Sequence, residues 1–316
     1  MFLLNRGFPF NMKKPFDILV AGEINPDLIL AGDVKPEFGQ VEKLVDSAAL
    51  TVGSSSAIFA CGAARLGLRV AFIGVCGDDV FGRFMLAEMQ KRNVDVSHVI
   101  VRPTGQTGLS VILNRDSDRA ILTHPGLIAD LQASDIADSL LAQSRHLHVA
   151  SYFLQTKLQP DLPALFQRAH SLGLTTSLDT NYDPSEKWIG FDQLLSTTDI
   201  FLPNLTEALS ITKLDNVESA ARELAGTCKL AAIKLGAGGA IACSGEQVTR
   251  VHSIPVNVVD TVGAGDTFNA GFMYGFLNDW PVEKSLRLAC VCGAMSTQKA
   301  GGTESQPTLE EALTLL

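Results

Sequence analysis

The segment 257–272, NVVDTVGAGDTFNAGF, carries an aspartate directly after a glycine-rich turn. β-Branched residues before the turn predict a strand, and phenylalanines that recur every four residues after it predict a helix. Backbone N–H groups of Gly263, Ala264 and Gly265, with the helix N-terminus, would form a cradle for an anion such as a phosphoryl group in transfer. Asp266, at the rim of that cradle, could accept the proton of an attacking hydroxyl group. A helix-capping aspartate after an ordinary turn is the alternative.

The elements that would position this turn are strands and helices in alternation, which predict an α/β fold: a mostly parallel central sheet with helices on both faces. No long Gly/Ser/Pro linker interrupts the chain, so we expect one domain, residues 17–316, after an N-terminal extension of residues 1–16. The predicted strands are 17–21, 28–31, 69–75, 147–150, 175–178, 200–202 and 230–235. The predicted helices are 51–67, 83–92, 134–143, 160–172, 206–212, 217–226 and 282–299.

A small β-sheet lid is predicted outside this pattern. The polar segment 33–50 has no helical period, and the strand patterns 99–101, 107–113 and 120–123 surround a polar turn at 114–119. We therefore expect lid segments at about 33–50 and 106–124. An exposed sheet of this kind needs a covered face, which a homodimer formed through the lid would provide.

Asn25 and Asp27 come directly after the first predicted strand. Ligand sites of α/β proteins form at such strand ends, so both residues are candidates for binding a substrate. An ordinary Asn-Pro-Asp turn explains the same pattern without any ligand.

Gly53, followed by Ser54, Ser55 and Ser56, begins the predicted helix 51–67. Hydroxyl groups at a helix start either cap the helix or bind a polyhydroxylated ligand, and the sequence leaves both roles open. We include Gly53, Ser54 and Ser55 among the candidate substrate-binding residues.

The string DTVGAGDTF at 260–268 closely resembles the C-terminal signature of the PfkB (ribokinase-like) carbohydrate kinases. The resemblance implies a ribokinase-like fold, ATP and Mg2+ as co-substrate and cofactor, Asp266 as the catalytic base and residues 263–265 as the anion hole. It also implies that Asp27 binds sugar hydroxyl groups. This chain departs from the family at the helix start, because serines replace its usual di-glycine turn and Ile58 replaces an asparagine that contacts the sugar.

Asn204 and Glu207 match the family's NxxE motif. The resemblance implies that Asn204 approaches the nucleotide phosphates and that Glu207 holds magnesium through water. A capped helix start is the alternative for both residues. In many relatives, the carboxylate at the position of Asp260 helps to hold a potassium ion, and Asp260 is a candidate for that role.

The glycine cluster KLGAGGA at 234–240 follows a predicted strand. A dinucleotide-binding turn would have to begin a helix, but this cluster runs into a predicted hairpin, so a nicotinamide dehydrogenase is disfavoured. The string resembles the LGxxG loop of the same kinases, which packs against the ribose and phosphates of ATP. That resemblance assigns four residues to the nucleotide: Lys234, Gly236, Gly238 and Gly239.

The segment that begins at Asp179, DTNYDP with Trp188 beyond it, lies at the end of another predicted strand. It resembles the DxN(x)xP…W segment of several sugar-kinase subgroups. Where those subgroups often carry arginine, this chain has Tyr182 and Asp183, which weakens the inference of an acidic substrate.

Composition limits the partners and the compartment. The chain has 316 residues, a net charge of −9 and a pI near 5.1, which disfavour nucleic acid or an anionic membrane as the main partner. No apolar run is long enough to span a membrane, and the N-terminus does not resemble a signal peptide. The six cysteines are scattered, as expected of buried free thiols in the cytoplasm, and Met12 is an alternative start.

The sequence therefore predicts ATP-dependent phosphorylation of a hydroxyl group on a sugar or related small polyol. A nucleoside kinase of the same fold is one alternative, in which Phe38, Phe59 or Tyr152 could supply a shelf for a base. A catalytically silent sugar-binding sensor is another, although the intact Asp266 motif disfavours it. The particular sugar, the phosphorylated hydroxyl group and the oligomeric state are not encoded in these patterns.

Overall fold

The structure is a computed structural model that describes residues 14–115 and 118–316. Over these residues a nine-stranded sheet forms the centre, in the order β15-β14-β13-β12-β11-β10-β1-β4-β6. Its strands are parallel from β6 to β13, and β14 and β15 add an antiparallel hairpin. The strands of this sheet are β1 (Phe16–Ala21), β4 (Val70–Ile73), β6 (Val94–Asp95), β10 (Ser144–Val149), β11 (Thr175–Leu178), β12 (Ile200–Phe201), β13 (Leu230–Lys234), β14 (Ala240–Ser244) and β15 (Gln247–Val251).

Helices cover both faces of the sheet, as expected for buried parallel strands. Alternate side chains of β1 enter two separate cores: Ile18 and Val20 pack with α1, α2, α8 and α9, whereas Leu19 and Ala21 pack with α3, α4, α5 and α7. The described helices are α1 (Ser55–Arg65), α2 (Val80–Lys91), α3 (Asp138–Leu141), α4 (Leu162–Ser171), α5 (Asp192–Ser196), α6 (Leu205–Thr212), α7 (Val217–Ala225), α8 (Ala264–Leu277), α9 (Val282–Ser296) and α10 (Leu309–Leu313).

A second, four-stranded sheet forms the lid, in the order β3-β2-β8-β9. Only the end of the expected segment 33–50 belongs to a lid strand, whereas the apolar strand that follows Asp27 lies at the centre of the lid sheet. An apolar run has the same appearance in a core strand and in a lid strand, so the sequence alone could not separate the two. The strands are β2 (Pro26–Ala31), β3 (Ser47–Val52), β8 (Leu109–Arg115) and β9 (Asp118–His124).

The predicted lid strand at 99–101 was wrong. Residues Ile100–Arg102 form β7, which pairs in parallel with β5 (Val75–Gly77) beside the central sheet. The predicted helix 134–143 is also shorter, because a 3₁₀ turn at Ala133–Asp135 precedes the four-residue α3. Part of the predicted turn 114–119 and residues 1–13 of the predicted extension lie outside the described residues.

The outer face of the lid carries a row of apolar side chains. Leu50, Leu28, Val111 and Leu122 are register partners across its four strands. Leu122 is 61% exposed and Leu50 is 38% exposed. The six cysteines are buried free thiols, as expected, and no helix among residues 14–115 and 118–316 is long and apolar enough to cross a membrane.

Candidate active site

Two cavities meet at the start of α8. The first, of about 480 Å³, lies between the inner face of the lid and the carboxyl ends of the central strands, and Asn25, Asp27 and Ser55 are among its lining residues. The second, of about 600 Å³, lies on the other side of residues 263–265, which are called the glycine turn below. Gly265 lines both cavities, so the predicted anion hole is the boundary between them.

Asp266 lies in the first turn of α8, is 7% exposed and lines the first cavity. Burial and the carboxylates of Asp179 and Glu23 raise the pKa of Asp266 well above its usual range, against the opposing effects of Lys234 and Ser55. A carboxyl group with a raised pKa is a stronger base when it is ionised, which suits proton abstraction.

The turn before Asp266 has a backbone conformation at position 263 that favours glycine. Gly263 is the N-cap of α8 with φ +71, and a Cβ atom there would lie 2.8 Å from the backbone of Gly302. The first N–H groups of a helix have no acceptor within the helix. The N–H of Ala264 donates a 3.3 Å bond to the carbonyl oxygen of Thr261, whereas the N–H of Gly265 remains available to an anion at the boundary between the cavities.

Asp27 and Asn25 lie together at the lid end of the first cavity. Asn25 Nδ2 donates a 3.3 Å hydrogen bond to Ser110 Oγ on β8, which links the strand end to the lid. Burial, reinforced by Asp260 and Glu23 and opposed by Arg119, raises the pKa of Asp27 to about 7. The site residues predicted after β1 are thus brought into one cavity with Asp266.

The three serines at positions 54–56, called the serine turn below, make different contacts. Ser54 caps α1, since its Oγ accepts a 3.0 Å bond from the N–H of Ala57. Ser56 is fully buried and donates to a carboxylate oxygen of Glu23 over 2.5 Å. Ser55 lines the cavity, and its Oγ accepts a 2.6 Å bond from Asn181 Nδ2. The capping role is therefore confirmed for Ser54, and ligand binding by Ser55 stays a prediction.

The lining residues that were missed at the level of sequence include three that are joined by hydrogen bonds: Glu23, Ser151 and Asn181. Asn181 Nδ2 donates to Ser151 Oγ over 2.8 Å, and Ser151 Oγ donates to Glu23 Oε1 over 2.8 Å. Ser151 and Asn181 both have left-handed backbones, with φ +52 and +53. Strained non-glycine residues concentrate at functional sites, but no sequence pattern marks them. A charged residue directly after a buried strand was the available signal for Glu23.

The glycine loop after β13 lies at the second cavity, and its assignment to the nucleotide stays a prediction. Lys234, Gly236 and Gly239 line this cavity, whereas Gly238 belongs to the same short turn but not to the lining. A Cβ atom at Gly239 would lie 2.0 Å from the carbonyl oxygen of Val251, so only glycine fits. The predicted hairpin β14–β15 follows directly.

Asn204 and Glu207 line the first cavity and form a capping box at the start of α6. Asn204 Oδ1 accepts from the N–H of Glu207 over 2.9 Å, and the N–H of Asn204 donates to Glu207 Oε2 over 2.8 Å. Burial and the carboxylate of Asp179 raise the pKa of Glu207 to about 7, against Lys234. Helix capping uses only part of the acceptor capacity of a carboxylate, so Glu207 can still accept from a metal-bound water.

Asp260 connects the glycine turn to the segment that follows α9. Its Oδ1 accepts from the N–H of Val262 over 3.0 Å, and its Oδ2 accepts from the N–H of Gly301 over 2.9 Å. Arg119 Nη1 lies 4.0 Å from Asp260 Oδ1. Over residues 14–115 and 118–316, no three His, Cys, Asp or Glu side chains are gathered as a metal site.

The proposed aromatic shelf for a base is not formed by the three predicted residues. Phe38 is 98% exposed, Phe59 is buried against His148 with ring centroids 3.7 Å apart, and Tyr152 is buried in the core. None of the three lines either cavity. The apolar side chains that line the first cavity include Ile58, the residue that replaces the family's asparagine.

Comparison with known proteins finds sugar kinases among the relatives of this chain. The chain is 29% identical to the 5-dehydro-2-deoxygluconokinase of Geobacillus thermodenitrificans, over 96% of this chain and 94% of that protein. It is 33% identical to an uncharacterized sugar kinase of Archaeoglobus fulgidus, over 78% of this chain and 98% of that protein.

Solved structures with the same fold include kinases. One is an E. coli protein assigned as a candidate ribokinase II in complex with ATP and Mg2+, with a TM-score of 0.84, 23% identity and coverage of 95% of this chain and 98% of that one. Another is the adenosine kinase of Sinorhizobium meliloti, with a TM-score of 0.84, 25% identity and coverage of 95% and 99%. The fold is therefore ribokinase-like.

The family model described as pfkB family carbohydrate kinase matches residues 16–309. That range includes both cavities, the lid, the glycine loop and the first turns of α8. This chain belongs to the PfkB family of carbohydrate kinases.

Proposed function

We propose that this protein transfers the γ-phosphoryl group of ATP to a hydroxyl group of a sugar or related small polyol. The observation that carries the proposal is the position of the glycine turn, which separates a polar cavity lined by Asp27 and Asp266 from a mainly apolar cavity lined by the glycine loop. Phosphoryl transfer needs an acceptor and a donor on opposite sides of an anion-stabilising group.

In this proposal the sugar occupies the first cavity and ATP occupies the second. Asp27 and Asn25 orient the sugar hydroxyl groups, and Asp266 accepts the proton of the attacking hydroxyl. The hydroxyl oxygen forms a bond to the γ-phosphorus while the bond from that phosphorus to the β–γ bridging oxygen breaks, which releases ADP. The N–H groups of residues 263–265 stabilise the charge of the phosphoryl group during this exchange.

Magnesium and a monovalent cation belong to the same proposal. A magnesium ion would neutralise charge on the phosphate oxygens of ATP, and Glu207 would hold it through water. Glu207 is 3% exposed, lines the first cavity and interacts electrostatically with Lys234, which lines both cavities, so a position for Glu207 near the junction supports this assignment. For potassium, Asp260 is the candidate carboxylate, because both of its oxygens face the turns at 262 and 301.

We further propose a homodimer formed through the lids. The row Leu50, Leu28, Val111 and Leu122 leaves an apolar sheet face partly exposed, and a second copy of the lid has the matching apolar surface. The buried thiols support a cytoplasmic location, and the net charge of −9 disfavours nucleic acid and anionic membranes as partners.

The test is ADP release from Mg-ATP over a panel of neutral sugars, sugar acids, sugar phosphates and nucleosides, with Asp266→Asn beside the natural protein. A substrate-dependent signal that the variant loses supports the proposal and identifies the substrate class. A signal with nucleosides alone would favour the nucleoside kinase, whose fold this chain shares with the S. meliloti enzyme. Sugar binding without ADP release would favour the silent sensor.

A further inference from the structure

The ammonium group of Lys234 lies where the two cavities meet. Lys234 is the last residue of β13 and lines both cavities. Its Nζ lies 3.5 Å from the position that a Cβ atom on Gly265 would occupy, so a positive charge is held directly against the anion-hole turn. This position is unusual for a residue expected only to pack against a nucleotide.

A carboxylate from a different strand holds that ammonium in place. Lys234 Nζ donates to Asp179 Oδ2 over 2.6 Å, and the side chains of Lys234 and Asp179 are only 12% and 1% exposed. The same oxygen of Asp179 accepts from Asn269 Nδ2, three residues after Asp266 on α8. Asp179 therefore connects Lys234 to the helix that carries the catalytic base.

The charges around Lys234 require such an anchor. Burial disfavours its charged form, but the carboxylates of Asp179 and Glu207 outweigh burial and raise the pKa of Lys234. Asp266 also attracts the ammonium group. Without Asp179, Glu207 and Asp266 would compete for the cation, which would draw the ammonium group away from its position against the anion-hole turn.

We infer that Asp179 is a positioning residue for phosphoryl transfer, which holds the ammonium group of Lys234 against the anion-hole turn so that this cation stabilises the phosphoryl group in transit. The inference rests on the proposed function. Lys234 keeps its proton throughout, and the bonds that form and break are those of the proposed transfer. The segment 179–181, which the sequence analysis identified only by resemblance, thus has a proposed role in positioning Lys234.

The test is a double-mutant cycle of Asp179→Asn and Lys234→Met, read as kcat with saturating ATP and sugar. Each single change should lower kcat by roughly 10²-fold, the loss typical of one electrostatic contact to a transition state. If Asp179 acts through Lys234, the double variant should be no slower than Lys234→Met alone. If Asp179→Asn lowers kcat by the same factor in the natural protein and in the Lys234→Met variant, the inference is overturned.

Thr180→Val is the matched control. Thr180 is fully buried in the same segment, and its hydroxyl group has no hydrogen-bond partner among the described residues. The substitution keeps the shape of the side chain and should leave kcat within about twofold. If Asp179→Asn does not fold, Asn269→Ala replaces it in the cycle, because it removes one of the hydrogen bonds that hold Asp179.

A pH profile of kcat provides a readout that general loosening of the structure would not produce. Asp179 raises the pKa of Asp266 and Lys234 lowers it, so Asp179→Asn should move the acid limb to lower pH and Lys234→Met should move it to higher pH. Glu23, which also acts on Asp266, stays unchanged in both variants. The other charged residues that line the cavity are also unchanged: Asp27, Arg119 and Glu207. Shifts in the same direction would contradict the inference.

Different results would refute the proposed function and the proposed role of Asp179. If the natural protein releases no ADP with any panel compound, the proposed function fails. If the natural protein is active and Asp266→Asn is not, but Asp179→Asn retains the natural kcat, then only the role of Asp179 is refuted.

Discussion

Gly53 lies directly against the carboxylate of Asp27: a Cβ atom at Gly53 would be 2.2 Å from Asp27 Oδ1. The residue before the serine turn is therefore glycine because the proposed sugar-binding carboxylate occupies the space of a side chain. The contact joins the start of α1 to the first residues of the lid, and it places Gly53 beside a carboxylate that lines the first cavity.

Gly53→Ala should displace Asp27 and weaken sugar binding. Overpacking of this kind costs about 1–3 kcal/mol, and if the whole cost falls on sugar binding the KM for the sugar should rise roughly 5- to 150-fold. The KM for ATP should not change, since Gly53 does not line the second cavity. An unchanged KM for the sugar would show that Asp27 does not contact it.

Asp266→Asn should lower kcat by about 10²–10⁴-fold, the usual contribution of general-base catalysis. The amide has nearly the same shape, so the fold and nucleotide binding should be retained. Isothermal titration with an ATP analogue and the circular dichroism spectrum check both points. A variant with nearly natural kcat would remove Asp266 from the reaction.

The stability of the protein should depend on pH through Asp27. Burial raises the pKa of Asp27 to about 7 in the folded state, whereas an unfolded aspartate has a pKa of about 3.9. The folded state therefore binds more protons between these values, and the free energy of unfolding should fall as the pH rises from about 4 to 7. Urea titrations across this range should give a weaker decline for Asp27→Asn, and an identical decline would contradict the assignment.

Leu122→Glu should dissociate the proposed dimer. The substitution places a charge in the apolar row of the lid, on a strand whose neighbouring residue Ile121 faces the cavity. Light scattering after gel filtration measures the mass directly. Val80→Glu, on the equally exposed side chain at the start of α2, is the control and should not alter the mass. A natural protein of monomer mass would exclude the lid interface.

The sequence predicted most of what depends on local patterns. The α8 segment illustrates this success, because its turn, its helix and the position of Asp266 were all apparent from residue types and spacing. The parallel sheet with helices on both faces, and the hairpin that follows Gly239, were likewise predicted and are confirmed. Hydrophobic periodicity depends only on residues that are close in sequence, and it is sufficient to predict these features.

Contacts between distant segments were not predictable in this way. Asp179 and Lys234 are 55 residues apart and meet only because β12 lies between β11 and β13 in the sheet. Glu23 shares its hydrogen bonds with Ser56 and Ser151, which come from two other elements. Strand β2 was recognised as a strand, but its partners β3 and β8 decide that it belongs to the lid.

The path of the chain from β1 into β2 has a mechanical consequence. Residues 22–25 connect the central sheet at Ala21 to the lid strand that begins at Pro26. Asp27 therefore lies in the lid sheet, whereas Asp266 lies in α8, which packs against the central sheet. In the proposed reaction, a lid that moves as a unit would change the distance between Asp27 and Asp266, so that lid closure and the positioning of the sugar would be coupled.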